Sequence, residues 1–198
     1  MSRAASARGA PRSVRIVGGA WKRTPLPVVD LPGLRPTPDR VRETLFNWLG
    51  QDLTGWRCLD LFAGTGALGF EAASRGAAQV VMVERDASAV ERLREVQRRL
   101  RAEQVQIVRA DAPTWLGAQP GTFDLVFLDP PFHQGWLDRV GPLLPARLAP
   151  GAWVYVECEF ALDAGAALLA RVPGLKLHRA DKAGQVHYHL LRLSDGAS

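Results

Sequence analysis

A carboxylate, two prolines and an aromatic ring follow directly on an apolar run in the stretch FLDPPF, residues 127–132. Proline cannot donate a ladder hydrogen bond, so Pro130 and Pro131 must end a strand at Asp129 and fix the backbone angles that follow. A carboxylate held rigidly at a strand end can accept a hydrogen bond from a substrate. The motif is short, however, and an aspartate that only terminates a strand explains it equally well.

A second group of residues, LDLFAGTGALGFEAA, lies at the end of an earlier apolar run. Gly64, Gly66 and Gly69 satisfy the pattern GxGxxG, whose glycines let a ligand approach the backbone and whose following helix offers free N–H groups. A tight turn between a strand and a helix gives the same pattern without a ligand. However, Glu84 ends the next strand 18 positions after Gly66, where an acid can bind ribose hydroxyls. The spacing therefore predicts a nucleoside cofactor, either a dinucleotide or S-adenosylmethionine.

Two more acids and the proline motif favour S-adenosylmethionine. Asp60 precedes the glycine loop, where its charge would attract the ammonium of a methionine moiety and repel a pyrophosphate. Asp111 follows the third strand, the one after the strand that ends at Glu84, and could accept a hydrogen bond from an adenine amino group. The motif at Asp129 has no role in hydride transfer. The candidate cofactor contacts are Asp60, Phe62, Ala63, Gly64, Thr65, Gly66, Glu84, Arg85, Asp111 and Ala112.

These residues are positioned by short apolar runs that alternate with helical patterns. Strands are predicted at WRCLDLF, QVVMVE, QVQIVRA, FDLVFLD and AWVYVECE, and LKLHRAD with QVHYHLLRL forms a closing antiparallel pair. Helices are predicted at ALGFEAASRG and ASAVERLREVQRRLRAE, near 113–116, and at 136–148 and 162–171. The alternation indicates an α/β fold, a mostly parallel sheet of seven strands with helices on both faces. In such a sheet the functional residues cluster at the carboxyl ends of the strands.

A smaller extension is predicted upstream of this alternation. RIVGGAWKRTPLPV has two short extended segments around a Gly-Gly pair, which is typical of a β-hairpin. A helix follows, with Thr37 as its cap and Pro38 at its first position. We therefore expect a flexible basic tail at 1–13, a hairpin and helix extension at 14–55, and the main domain at 56–198.

All of the excess positive charge lies in the first 57 residues. They hold ten Lys or Arg against four Asp or Glu, whereas residues 58–198 hold fifteen against sixteen. A basic tail accounts for part of this excess, but the remainder lies in segments predicted to fold, which favours a surface that faces a polyanion. Charge alone does not distinguish RNA, DNA and a small anionic ligand. The basic residues in these segments include Arg15, Lys22, Arg23, Arg35, Arg40 and Arg42.

Length and composition limit the class of protein. A chain of 198 residues suffices for one main domain. No apolar run approaches the roughly 20 residues of a membrane span and no apolar signal segment is evident, so a cytoplasmic protein is expected. Cys58 and Cys158 lie in apolar runs and are expected to be buried thiols, and no clustered Cys or His spacing predicts a metal site. His187 and His189 alternate on one strand and are expected at the surface or facing RNA.

Several segments together resemble the RsmD family of bacterial ribosomal RNA methyltransferases. DLFAGTG with DPPF is similar to class I, Rossmann-like methyltransferases that act on exocyclic amino groups. RIVGGAWKRTPLPV, LRPTPDRVRETLFNWL and KAGQVHYHL extend the likeness from about residue 14 to the end, and RPTPDRVRETLFNWL is the most specific segment because generic methyltransferases lack it. The resemblance implies S-adenosylmethionine as cofactor and N2 of a guanine in 16S ribosomal RNA as target, guanine 966 by the family's convention.

The resemblance also implies roles for the proline motif, with Asp129, Pro130 and Phe132 as the catalytic residues. Asp129 would accept a hydrogen bond from the guanine amine and stabilise the positive charge that develops on its nitrogen. The carbonyl of Pro130 would accept the second amine hydrogen. Phe132 would stack on the extruded base, with Pro131 beside it in the substrate site.

In the N-terminal motif, Arg35, Thr37 and Arg40 would lie near the cofactor and the RNA entrance. The implied partner is a 30S subunit or an assembly intermediate, bound by a monomer, with no metal and no membrane. Three alternatives stay open: an amino-directed methyltransferase acting on DNA or another RNA, a nicotinamide-dependent oxidoreductase, and a non-catalytic RNA-binding protein. The second would need a substrate domain, and none is evident. The third would be expected to have lost Gly64, Gly66 or Asp129, and all are present.

Overall fold

The structure is a computed structural model that describes residues 13–28, 37–118, 121–162 and 167–194. The predicted flexible tail and Arg35 lie outside these ranges, apart from residue 13, which begins the first strand. Within the described ranges, no helix combines the length and the apolar character that crossing a membrane requires.

In the described part of the chain, the strands form one sheet of seven and one of two. In chain order they are β1 (Ser13–Arg15), β2 (Pro25–Pro27), β3 (Arg57–Asp60), β4 (Gln79–Glu84), β5 (Val105–Arg109), β6 (Phe123–Leu128), β7 (Leu148–Cys158), β8 (Leu175–Ala183) and β9 (Val186–Leu193). The large sheet has the order β5-β4-β3-β6-β7-β9-β8, and its neighbours from β5 to β7 run parallel. Strand β9 pairs antiparallel with both β7 and β8. The predicted Rossmann-like sheet with a closing antiparallel pair is confirmed.

Helices cover both faces of the large sheet, as predicted. They are α1 (Asp39–Leu49), α2 (Ala67–Ser74), α3 (Ala87–Leu100), α4 (Ala112–Ala118), α5 (Trp136–Val140) and α6 (Ala167–Arg171). The single helix predicted at 136–148 is wrong, because α5 ends at Val140 and two short 3₁₀ turns follow. Pro142 and Pro145 lack the N–H groups that would continue an α-helix. Helix α6 lies within the helix predicted at 162–171, and residues 163–166 of that range lie outside the described residues.

Two apolar cores lie on opposite faces of the sheet. Successive side chains of a strand point to opposite faces, so Val80 and Met82 pack in one core while Val81 and Val83 pack in the other. The first core includes residues of α1, α2, α3 and the β1–β2 hairpin, and the second includes residues of α4, α5 and α6. With both faces covered, ligands can reach this sheet at its ends.

The N-terminal extension contains the predicted hairpin, with β1 and β2 paired antiparallel. The predicted cap of α1 is wrong, since Pro38 occupies the N-cap position and no side chain caps the helix. The hydroxyl of Thr37 instead lies within hydrogen-bond distance of two carboxyl groups, the half-buried Asp129 and the buried Glu157, described below. The boundaries of the extension at residues 14 and 55 stay a prediction.

A buried carboxylate, Glu71 of α2, fastens this extension to the main domain. Its oxygens accept the backbone N–H of Val17 at 2.8 Å and of Gly18 at 2.7 Å. They also accept from Arg42 of α1 at 3.3 Å and from Arg75 at 2.8 Å. Glu71 and Arg42 are both fully buried, so their charges must compensate one another. The extension is therefore part of the folded body, and it holds the start of α1 close to the carboxyl ends of the strands.

Candidate active site

A cavity of about 940 Å³ opens at the carboxyl ends of β3, β4, β5, β6 and β7. Most of the residues predicted for the cofactor and for the target base line it, although they come from separate parts of the chain. They are Thr37, Asp60, Phe62, Ala63, Gly64, Thr65, Glu84, Arg85, Asp111, Ala112, Asp129, Pro130, Pro131 and Phe132. The structure therefore brings these predicted residues together at one edge of the sheet.

The glycine loop between β3 and α2 adopts left-handed backbone angles at two positions. Gly64 has φ of 50° and Gly66 has φ of 76°, values that residues with a side chain rarely adopt. A Cβ at Gly66 would also lie 2.6 Å from a methyl carbon of Leu93 and 2.7 Å from the ring of Phe70. Gly66 is not among the described residues that line the cavity, so it shapes the loop from behind.

Two acids border the loop on the side of β4 and β5. Glu84 ends β4 and accepts the N–H of Gly64 at 2.9 Å and of Asp86 at 2.8 Å. Asp111 lies just after β5, is exposed, and accepts from the hydroxyl of Thr114 at 3.2 Å. Both carboxylates line the cavity and retain lone pairs for a ligand.

Asp60 is buried at the end of β3, with 1% of its surface exposed. Its Oδ2 accepts the N–H of Gly69 at 3.0 Å, and a Cβ at Gly69 would lie 2.5 Å from Met82 and 3.1 Å from this oxygen. Its Oδ1 makes no hydrogen bond of normal geometry with any described residue. Burial, with a smaller effect from the charge of Glu84, raises the pKa of Asp60 to about 7. An unpaired buried carboxylate oxygen at a cavity matches a cationic ligand group.

Asp129 lies directly after β6 and shares a hydroxyl with a second acid. The Thr37 hydroxyl is 3.2 Å from Asp129 Oδ2 and 2.8 Å from Glu157 Oε1. Tyr155 donates to the same Glu157 oxygen at 2.8 Å. Burial, followed by the charges of Glu157 and Asp60, raises the pKa of Asp129 well above its usual range. The site thus places three carboxyl groups, from β3, β6 and β7, around one end of the cavity.

The segment after Asp129 is held in a fixed conformation. Pro130 is buried, while Pro131 and Phe132 are half-buried and line the cavity. His133 adopts a left-handed φ of 60°, which is unusual for a residue with a side chain. Its N–H donates to Glu159 at 2.9 Å, and its ring nitrogen Nδ1 lies 3.3 Å from the same carboxylate. The loop is therefore fastened to the end of β7, and the ring of Phe132 is available at the cavity wall.

Comparison with known proteins identifies the family. The sequence model of a family described as "Conserved hypothetical protein 95" matches residues 14–192. A curated relative, ribosomal RNA small subunit methyltransferase D of Escherichia coli strain K12, is 46% identical over 181 residues, which is 89% of this chain and 88% of the relative. The chain belongs to the RsmD family of methyltransferases.

Solved structures agree with this assignment to the RsmD family. A putative methyltransferase of Escherichia coli, yhhF, is 41% identical with a TM-score of 0.81, and the match covers 93% of this chain and 99% of that one. A putative methylase of Haemophilus influenzae, HI0767, is 34% identical with a TM-score of 0.75, and the match covers 92% of this chain and 99% of that one. The class I methyltransferase fold expected from the sequence is confirmed.

The basic residues of the predicted RNA-binding set that the structure describes are not among those that line the cavity of this RsmD-family chain, and Arg42, expected to face a ligand, is buried against Glu71. The exposed members of this set are Arg15, Lys22, Arg23 and Arg40. The turn that carries Lys22 and Arg23 packs on the far end of α2, where Ala20 N–H donates to the Ser74 carbonyl at 2.7 Å. An eight-residue helix separates that end from the glycine loop by roughly 10 Å, so these side chains could bind only parts of a large ligand that extend beyond the cavity. Their role stays a prediction.

The sequence reasoning missed several residues of the cavity wall. The turn between β8 and β9 supplies Lys182, Gln185, Val186 and His187. Glu157 and Trp136 also line the cavity, and the Trp136 ring makes an edge contact with Phe62 at 5.5 Å between ring centroids. The one available signal is the KAG segment, which the strand pattern marks only as the break between the two strands of the closing pair. Because β9 runs antiparallel to β7, its first residues lie beside the end of β7, and the turn before β9 therefore lies at the same edge of the sheet as Asp129.

The remaining histidines and cysteines have structural positions. His189, expected at the surface, is buried, and its Nε2 accepts the N–H of Leu162 at 2.9 Å. The expectation was wrong because the face of β9 that carries His189 is covered by the segment after β7. Cys58 and Cys158 are buried free thiols, as predicted. Within the described ranges, no group of three or more His, Cys, Asp or Glu is placed to hold a metal ion.

Proposed function

We propose that this protein transfers a methyl group from S-adenosylmethionine to the exocyclic N2 of one guanine in 16S ribosomal RNA during maturation of the small subunit. The observation that carries the proposal is the meeting of Asp60, Glu84 and Asp129 at one cavity of about 940 Å³. A relative that is 46% identical over 181 residues is named for methylation of small-subunit ribosomal RNA. One group of cavity residues suits the methyl donor, and a second group suits the amine that accepts the methyl group.

The residues at the first part of the cavity fit S-adenosylmethionine. The unpaired Oδ1 of Asp60 suits the ammonium of the methionine moiety, while the free lone pairs of Glu84 suit the ribose hydroxyls. Asp111, at the more exposed end, suits the adenine amino group. The cavity volume of about 940 Å³ lies within the usual range for sites that bury a small molecule. When bound, this cofactor supplies an electrophilic methyl group.

The residues after β6 fit a purine with an exocyclic amine. Such an amine is a weak nucleophile because its lone pair is delocalised into the ring. Asp129 accepts a hydrogen bond from the amine and favours a pyramidal nitrogen whose lone pair points at the methyl group. As positive charge develops on the nitrogen, the nearby carboxyl group stabilises it, and this is an interaction made mainly in the transition state.

The rigid segment after Asp129 holds the base. The carbonyl of Pro130 accepts the second amine hydrogen, and Phe132 stacks on the face of the extruded guanine, a contact worth about 1 to 3 kcal/mol in nucleic-acid binding. The hydrogen bond from His133 N–H to Glu159, at 2.9 Å, keeps this segment in place before the base arrives. Little reorganisation is then needed when the RNA binds.

RNA is the proposed carrier of the guanine for two reasons. The curated relatives that cover most of this chain are named for ribosomal RNA, and the basic residues of the extension, Arg15, Lys22, Arg23 and Arg40, lie outside the cavity. A substrate that reached both regions would have to be larger than a nucleotide. We infer that a single copy of the chain acts on a 30S subunit or an assembly intermediate, where RNA and ribosomal proteins together present the target.

The test is transfer of tritiated methyl groups from S-adenosylmethionine to 30S subunits taken from a strain that lacks this methylation. We expect the label in 16S RNA, recovered after nuclease digestion as N2-methylguanosine. The parallel reactions use naked 16S RNA, duplex DNA and ribosomal protein. As a matched pair, Asp129→Ala should abolish transfer, while Asp138→Asn, at a surface ion pair with Arg171, should retain it.

The distribution of label decides between the alternatives. Label in DNA or protein, or in a nucleoside other than N2-methylguanosine, would contradict the proposed substrate. No label with any substrate, while S-adenosylmethionine binds, would contradict the proposed reaction and favour a non-catalytic RNA-binding protein.

A further inference from the structure

The second acid of the site, Glu157, has no role in the proposed function as described so far. It belongs to β7, is only 3% exposed, and lines the cavity behind Asp129. Its Oε1 lies 2.8 Å from the Thr37 hydroxyl and 2.8 Å from the Tyr155 hydroxyl. Thr37, which is 4% exposed, connects it to Asp129 at 3.2 Å. Two acids that are distant in the chain therefore share one hydroxyl in a buried position.

The hydrogens available cannot satisfy both acids when both are ionised. The Thr37 hydroxyl has one hydrogen, which lies between the nearer Glu157 and the more distant Asp129. The hydrogen of Tyr155 also goes to Glu157. If Asp129 carries a proton, it can donate to the oxygen of Thr37, and all of these contacts become hydrogen bonds. The geometry thus favours one proton shared over the two acids.

Charges on every neighbouring element act on Glu157. Arg42 of α1 is fully buried, donates to the Thr37 carbonyl at 3.3 Å, and favours the ionised acid. The other titratable groups around it are Asp60 of β3, Asp129 after β6, Tyr155 on β7 itself and Tyr188, its partner on β9. Burial raises the pKa of Glu157, and burial and the charge of Glu157 raise the pKa of Asp129. Each acid therefore makes the other harder to ionise.

We propose that Asp129 and Glu157 work as one carboxyl pair bridged by Thr37, in which Glu157 strengthens Asp129 as the base that removes the proton from the methylated nitrogen. This inference rests on the proposed methylation of an exocyclic amine. As the nitrogen–carbon bond forms, the sulfur–carbon bond of the donor breaks and its electrons stay on sulfur. The nitrogen then holds one hydrogen too many, and that proton passes to Asp129. Glu157 and Thr37 are positioning residues, because they act through Asp129.

A purely structural role for Glu157 is the competing explanation. It would tie the extension to β7 through Thr37, and its loss would lower stability and activity without changing how activity depends on pH. The proposed pair makes a different prediction, because removing a negative charge and removing a hydroxyl donor move the pKa of Asp129 in opposite directions.

The experiment measures the single-turnover rate of methyl transfer as a function of pH for the whole chain with 30S subunits. In Glu157→Gln the like charge is gone, so the acid limb of the profile should move to lower pH by about one unit or more. The plateau should fall about ten-fold or more because Asp129 becomes a weaker base. In Thr37→Val the hydrogen bond that favours the ionised acids is gone, so the acid limb should move to higher pH. Thr37→Ser keeps the hydroxyl and should restore the wild-type profile.

Two further measurements separate this inference from folding and from the proposed function. Asp138→Asn removes an acid at the surface ion pair with Arg171 and keeps the carboxyl pair, so its plateau should stay within about three-fold of wild type. Carbon-13 shifts of the Asp129 carboxyl in the free protein, followed by NMR, should report the same downward pKa shift in Glu157→Gln without any substrate.

Equal profiles for the wild type and Glu157→Gln, or shifts of both variants in one direction, would overturn the carboxyl pair while leaving the methylation intact. A wild-type chain that methylates no RNA, with the NMR shift present, would instead overturn the proposed function and leave the coupling of the two acids.

Discussion

Carboxylates with little exposure lie in two regions, the junction at Glu71 and the cavity wall, where Asp60 and Glu157 are buried and Asp129 is half-buried, and their surroundings differ in kind. Glu71 accepts two backbone N–H groups and is paired with two arginines, so both of its oxygens are fully used. At the cavity, Asp60 leaves one oxygen unpaired, and Asp129 shares a single hydroxyl with Glu157. A buried acid with every lone pair satisfied fixes structure, and one with lone pairs left over is ready for a ligand or a proton.

The largest effect is expected at Asp129. In Asp129→Ala the methyl transfer rate should fall about 10² to 10⁴-fold, because the group that we propose to stabilise the developing charge and to remove the proton is lost. Affinity for S-adenosylmethionine, measured by calorimetry, should stay within about three-fold, since the proposed contact of Asp129 is with the base and not with the cofactor. Equal losses of affinity and transfer would show that Asp129 binds the cofactor, and would contradict its proposed contact with the base.

The next largest effect is expected at Glu71, where the N-terminal extension joins the main domain. Glu71→Gln should lower the free energy of unfolding by about 3 to 5 kcal/mol, because the buried Arg42 and Arg75 lose the carboxylate that they share, which leaves Arg42 with its ion pair to Asp39 at 2.6 Å. Urea denaturation at constant pH measures it, and Glu91→Gln on the exposed face of α3, paired with Arg94 at 3.9 Å, is the control with an expected change within about 0.5 kcal/mol. A loss at Glu71 no larger than at Glu91 would contradict its structural role.

The raised pKa of Asp60 should make the free energy of unfolding depend on pH. Its folded pKa of about 7 lies above the value of an unfolded aspartate, so the folded chain binds more protons between about pH 4 and 7. The stabilisation is present at low pH and is lost as pH rises through 7. The free energy of unfolding of Asp60→Asn, taken relative to the wild type, should therefore rise by up to about 4 kcal/mol from pH 4 to pH 8. Urea denaturation at each pH measures it. A constant difference across that range would show that Asp60 is ionised throughout.

The smallest effect is expected at Glu84, which combines features of both regions. It is half-buried, and each of its oxygens already accepts one backbone N–H, at 2.9 Å and 2.8 Å. Glu84→Gln can keep only one of these bonds, so stability should fall by about 1 kcal/mol and affinity for S-adenosylmethionine by about three- to ten-fold. Thermal unfolding with and without the cofactor measures both. A change in stability alone would place Glu84 with the structural carboxylates.

Local sequence patterns predicted much of the fold and the part of the site formed by the glycine loop and the acids at the strand ends. The acids at 60, 84, 111 and 129 each stand at or just after the end of an apolar run, and parallel strands bring such ends to one edge. The glycine loop and the proline motif are contiguous in sequence, so their residue types alone indicate special backbone angles. The Rossmann-like sheet followed from the same alternation.

The rest depends on contacts between distant parts of the chain. Thr37 was read as a helix cap because local spacing favoured one, but its hydroxyl bonds with acids 92 and 120 positions away. Glu157 and the β8–β9 turn reach the cavity through the order in which β7, β9 and β8 pair. The break after α5 follows from Pro142 and Pro145, which interrupt an α-helix even where the apolar pattern continues.

The bridge from Thr37 to Glu157 also ties the onset of activity to protein synthesis. A chain emerges from the ribosome N-terminal part first, and segments fold as their partners become available. Thr37 is made early, yet the acids that it joins belong to β7 and to the end of β6. The cavity is closed later still by the turn before β9. The walls of the cavity are therefore complete only when nearly all of the chain has been translated.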